Sequence, residues 1–225
     1  MSSLEKTNTQ RISALIEAEG VKELVELLDS WTTRWHQDSP KPPAQPDGFL
    51  ELLQTLHVCN FSLWHEEDEA RRPDVPDAVI VAHKRAIDRW NQRRNDTIEQ
   101  LDGQLLARLE CLGVRPHASA PQNSETPGSI VDRLSIASLK IYHMAEQARR
   151  EDVGPGHRAA CEARLVVLRE QRDDLVACLE RLLIELLAGE KRLKLYRQFK
   201  MYNDPALNPA LYGAAKGCTK DPQRA

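Results

Sequence analysis

The chain repeats its apolar residues every three to four positions along almost its whole length, and no segment shows the two-residue alternation of a half-buried strand. That periodicity confines the fold to helices. The first stretch predicts a helix from about Thr9 to His36, with Ile12, Leu15, Ile16, Leu24, Leu27, Leu28, Trp31 and Trp35 as its apolar stripe and Gly20 as a candidate interruption. "QDSPKPPAQPDG" cannot be helical, since proline lacks the backbone donor and clashes with the preceding turn. A second helix is expected from about Phe49 to Arg72. A third runs from Ala78 to about Leu112, with Asp77 as its N-cap. "SETPGS" reads as another helix start, with Thr126 capping and Pro127 in the first helical position, and this fourth helix reaches about Arg150. A fifth spans roughly Arg158 to Ala188, and its tail is expected to continue helically to about Tyr202. The connections hold too few apolar residues for a second core. The expectation is all-α: a single bundle of about five long helices in one domain (1–225), with the bundle over 9–188 and a basic C-terminal extension over 189–225.

Composition narrows the function classes. Five cysteines, odd in number and without a CxxC pair, argue against a disulfide framework and a cysteine-based zinc site. A net charge of −3 gives no general case for nucleic acid or an anionic membrane. No apolar run is long enough to span a bilayer, and "MSSLEKTNTQRIS" lacks the blocks of a signal peptide, so a reduced cytoplasmic protein is expected. Neither a GxGxxG nor a Walker loop is present.

Polar residues on the inward stripes are the functional signal. At 100° per residue, His57, Asn60, Phe61, Trp64, Asp68 and Arg71 share an arc of about 100° on the second helix, with His65 flanking it. On the third helix Asn91, Arg94 and Asp102 fall in one arc with Ile80, Ile87, Ile98, Leu101 and Leu105, and Asn95 sits at the edge. Buried groups of this kind need partners, at about 1–3 kcal/mol for each one left unsatisfied. Interhelical hydrogen bonds that fix register are the bland explanation. A pocket for a charged ligand is the sharper one, favoured by the number and mixture of the groups. In that pocket His57 and His65 would serve as acid or base, and Asp68 and Asp102 as bases or metal ligands. Arg71 and Arg94 would clamp an anion, Asn60, Asn91 and Asn95 would orient the ligand, and Trp64 would form a wall. A phosphorylated sugar or nucleotide fits inward arginines best, with a divalent cation as candidate cofactor of unassigned identity. Backbone N–H groups beside Gly128 and Ser129 offer a candidate anion site at a helix start.

Further along, "KRLKLYRQFKMY" interleaves Lys191, Arg192, Lys194, Arg197 and Lys200 with Tyr196, Phe199 and Tyr202. Read as an interaction surface, it makes the chain a non-catalytic protein that docks a partner enzyme. The residues leave open which of these readings holds, and whether the chain is an enzyme.

The blocks "NFSLWHEEDEAR", "AIDRWNQRRNDTIEQLD", "TPGSIVDRLSIASLKIYHM", "QRDDL" and "YRQFKMYNDPALNP" resemble domain-of-unknown-function family 4254, a bacterial family. The resemblance covers about His57 to Tyr212 and implies a helical cytoplasmic protein. It also implies a gene neighbourhood of glycosyltransferases, hence a partner enzyme of envelope polysaccharide synthesis. "EQLD", with Glu99 and Asp102, is similar to the paired carboxylates of all-α nucleotide pyrophosphohydrolases, which hold magnesium. The chain departs from that pattern where "WHEEDEAR" replaces a Glu-Glu-x-x-Glu spacing.

Overall fold

The computed structural model describes residues 3–197 and 206–209, with helical side chains from Thr9 onward. Among these residues it contains six helices and no strand. They are α1 (Ser3–Ile16), α2 (Val21–Trp35), α3 (Phe49–Glu69), α4 (Asp77–Cys111), α5 (Pro127–Arg149) and α6 (Pro155–Leu187). Met1–Leu195 form one compact unit, and the segment from Tyr196 is a separate one.

The helix expected over Thr9–His36 is two helices, divided at the candidate interruption, with Gly20 as the N-cap of α2. Glu17 ends α1 with φ 56°, a left-handed conformation that a residue with a Cβ adopts only at a cost. Its side chain offsets that cost. The carboxylate accepts the Phe49 N–H at 2.9 Å, at the start of α3, and pairs with Arg108 on α4. Burial alone would raise the Glu17 pKa, but the Arg108 and backbone hydrogen bonds hold it below the usual carboxylate range.

The start of α5 follows the expected pattern. Pro127 occupies the first turn, and the Thr126 hydroxyl accepts the Ser129 N–H at 3.2 Å. At α4, by contrast, Pro76 occupies the cap position and Asp77 is the first helical residue. Helix α6 stops at Gly189, whose φ of +74° suits glycine and whose Cβ, if present, would lie 2.7 Å from the Arg115 carbonyl. Ala188 to Arg197 are not helical, against the expected continuation; its remainder, including Phe199, Lys200 and Tyr202, lies outside the described residues.

A leucine-rich core joins all six helices through Leu15, Leu28, Leu53, Leu105, Leu134 and Leu183, each at most 1% exposed. Helix α5 is central and packs on α2, α3, α4 and α6. A smaller cluster of Trp35, Val58, Phe61 and Leu139 packs beside it, flanked by Trp31, Trp64 and Trp90. None of the described helices is long and apolar enough to cross a membrane.

Candidate metal centre

The polar residues of α3 turn toward α2 and α5, where they form a closed chain of hydrogen bonds. The Thr32 hydroxyl donates to the Leu28 carbonyl at 2.8 Å, so it must accept from His57 Nε2 at 2.9 Å. With its proton on Nε2, His57 accepts at Nδ1 from the Ser135 hydroxyl at 2.8 Å. Ser135 in turn accepts from Asn60 Nδ2 at 3.0 Å, and the other Asn60 N–H goes to Asp132 Oδ1 at 2.9 Å. Arg94 Nε approaches the same Asp132 oxygen at 4.0 Å. Burial lowers the His57 pKa to about 3 and lifts that of Asp132, whose partners Asn60 and Arg94 oppose the rise. His57 is fully buried and neutral, with both ring nitrogens engaged. In this conformation it is a tie between α2, α3 and α5.

Asp102 is also committed to structure. Its Oδ1 accepts the Gly128 N–H at 2.7 Å, and it bonds Thr126 as well. It therefore fills the anion position at the start of α5 with one of the protein's own carboxylates. A Cβ on residue 128 would stand 2.9 Å from both Asp102 Oδ1 and the Ile98 carbonyl, so glycine is what permits the approach. Burial raises the Asp102 pKa, against the pull of these two hydrogen bonds.

A different group of residues has the geometry of a ligand set. His36 at the end of α2, His65 on α3 and His143 on α5 each bring one ring nitrogen within 4.8 Å of the others. All three Nδ1 atoms are hydrogen-bonded: His36 to the Thr32 carbonyl at 2.7 Å, His65 to the Phe61 carbonyl at 2.8 Å, and His143 to Glu146 Oε2 at 2.9 Å. Carbonyl and carboxylate oxygens only accept, so in every ring Nδ1 carries a proton, and in the neutral ring the lone pair is on Nε2. The Nε2 atoms of His36 and His143 are buried and have no hydrogen-bond partner. Burial lowers the His143 pKa, with smaller contributions from His36 and His65, against the pull of Glu146; the neutral, ligating form is favoured.

Aromatic rings hold the imidazoles in place. Trp64 stacks on His143 (centroids 4.7 Å apart, planes 8° apart), and Tyr142 stacks on His36 (4.1 Å, 22°). Phe61 stands edge-on to His36 and leans on His65. Thr32 links this group to the hydrogen-bonded chain, receiving His36 at its carbonyl and His57 at its hydroxyl. Beside His143 a cavity of about 470 Å³ opens, lined by Trp64, Asp68, Lys140, Met144, Gln147 and Leu168. A larger cleft of about 870 Å³ at the α1–α2 turn contains Glu19, Glu23, Glu26 and Glu180 but no histidine.

Three residues from the sequence reading thus meet here: His65 among the imidazoles, Trp64 against His143, and Asp68 in the cavity wall. His57, Asn60 and Arg94 gather around Ser135 and Asp132 instead. Arg71 is exposed and bonds Glu67 at 2.7 Å, while Asn91 and Asn95 are half-buried on α4. His36, Tyr142 and His143 had no place in the predicted site. A histidine three residues before a glutamate, as in His143 and Glu146, was the one local signal available.

A family model described as a protein of unknown function, DUF4254, matches residues 50–195. The chain belongs to this family. The match takes in His65, His143 and Glu146 and begins after His36. No curated protein and no solved structure matches the chain.

Proposed function

We propose that this DUF4254 protein is a metalloprotein that binds Zn²⁺ through Nε2 of His36, His65 and His143. One observation carries the reading: three imidazoles whose Nδ1 atoms are held by hydrogen bonds each bring a ring nitrogen within 4.8 Å of the others, and the Nε2 atoms of His36 and His143 are buried and unpartnered. Without a cation the buried Nε2 atoms of His36 and His143 are left unsatisfied. Imidazole donors suit zinc, and the carbonyl and carboxylate partners on Nδ1 are the outer contacts that metal-bound histidines use. A tetrahedral ion at about 2.05 Å needs ligand nitrogens about 3.3 Å apart, so each ring closes in by at most about an ångström.

Three protein ligands leave a fourth position for water or a ligand oxygen, the coordination of catalytic zinc rather than structural zinc. When bound there, the ion would supply Lewis-acid polarisation and a more acidic water. The chain's own residues orient the imidazoles through Glu146 and the two helix carbonyls, and Phe61, Trp64 and Tyr142 limit water around them.

The test is a competition titration of chelator-stripped protein with Zn²⁺. One equivalent should bind tightly, and His36→Ala, His65→Ala and His143→Ala should each weaken it by roughly a hundredfold or more, beyond the loss expected for an outer contact. Wild-type protein that takes up no zinc, or single variants that bind as wild type does, would refute the site.

A further inference from the structure

We propose that the outward face of α6 is the surface through which two copies of this chain associate, with their α6 helices antiparallel about a two-fold axis at the level of Leu175. Helix α6 buries Leu165, Val176, Leu179, Leu183 and Leu186 in the bundle. Its opposite face is not wholly polar. Val166 is 63% exposed, Val167 50% and Ile184 36%. Val166 and Ile184 stand five helical turns apart and so point the same way, and Glu170 and Arg181 lie between them within about 60° of that line. The four side chains form one stripe. Glu170 and Arg181 are exposed, and neither has a hydrogen bond or ion pair with any described residue.

The order of the stripe selects its partner. Val166, Glu170, Arg181 and Ile184 run apolar, acid, base, apolar, and the outer pair and the inner pair are centred on nearly the same point of the helix. Reversing a second α6 about that point sets Val166 on Ile184 of the other copy and Glu170 on its Arg181, and two-fold symmetry makes each contact twice. Burial of the apolar pairs favours association, while the opposite charges fix its register. Complementarity to an unrelated surface would not require the two spacings to share a centre. Ala177 is the stripe residue nearest the axis, where a small side chain lets two helices approach. Arg169 and the half-buried Glu180, along one edge, repeat the same symmetry and supply a further pair of opposite charges between copies. Asp173 and Asp174 flank the axis and Glu185 borders the other edge, with no base opposite them. This excess of acid, and a contact only about 27 Å long, make the association a weak one.

Sedimentation equilibrium of the full chain, taken into the high-micromolar range, is the test. Wild type should associate to a dimer. Glu170→Arg and Arg181→Glu should each weaken the dimer by about tenfold or more, because like charges then face each other, and the two substitutions together should restore it. Val166→Glu should weaken it by a similar factor. These positions are exposed, so melting temperatures should stay near that of wild type, which separates lost association from lost folding. A wild type that remains monomeric overturns the proposal, as does a dimer that the single charge reversals leave intact. A combined variant no tighter than the single ones refutes pairing about this axis. The face shares no residue with the histidine group, so the proposal stands or falls apart from the zinc reading.

Discussion

Replacing His57 with glutamine tests whether the hydrogen-bonded chain between α2, α3 and α5 is a buried structural device. In the folded protein His57 titrates near pH 3, against 6.5 for the free side chain, because burial penalises its charged form. Between those values the unfolded chain binds a proton that the folded one refuses. Stability is therefore complete above about pH 6.5 and declines as the pH falls toward 3. Each pH unit inside the window corresponds to about 1.4 kcal/mol, so His57 alone removes about 3 kcal/mol by pH 4 and about 5 kcal/mol over the whole window. Glutamine presents a donor and an acceptor to Thr32 and Ser135 without a titrating group. His57→Gln loses stability at neutral pH through its poorer fit, but it escapes the acid penalty. The assay is urea unfolding at a series of pH values in chelator, which removes any metal linkage, for wild type and variant. The stability gap should narrow by about 3 kcal/mol between pH 6.5 and pH 4. Other histidines and carboxylates titrate in both proteins and cancel in the difference. Parallel pH curves would be incompatible with a buried, neutral His57.

Two further substitutions address the supports of the candidate centre and of α5. Glu146→Ala removes the acceptor that orients His143 and should lower zinc affinity about 10–100-fold, as loss of such outer contacts does, with no more than a small change in melting because the side chain is exposed; unchanged affinity would mean that Glu146 is only a surface partner. Gly128→Ala pushes a methyl against the Ile98 carbonyl and Asp102 and should cost about 1–3 kcal/mol in denaturant unfolding, a typical overpacking penalty, whereas a neutral result would show that α5 shifts freely.

Local patterns in the sequence settled the helices and several of their ends. The start of α5 was encoded in four residues, because Thr126 and Pro127 act on their own turn. The inward stripe of α3 was also right where the helix lies inside the bundle: His57, Asn60 and Phe61 are buried. It fails at the far end, where Asp68 and Arg71 are exposed, because periodicity states which face turns inward and not how far the neighbouring helices extend. Gly20 marked the break between α1 and α2, but the left-handed turn at Glu17 was out of reach for a related reason. Glu17 stays left-handed through Arg108 and the Phe49 amide, both distant in the chain.

The candidate centre lay further still from any local signal. Its histidines sit at the end of α2, on α3 and on α5, and no ligand spacing along the chain connects them. Amphipathicity could show that each helix hides a face. Only the packing of α5 against both α2 and α3 decided that those three rings converge, while His57, the histidine that the stripe singled out, is enclosed among Thr32 and Ser135. The sequence by itself determined the helices and the residues that must find partners; tertiary contact decided which partners they found, because side chains distant in sequence come within bonding distance only when the helices pack.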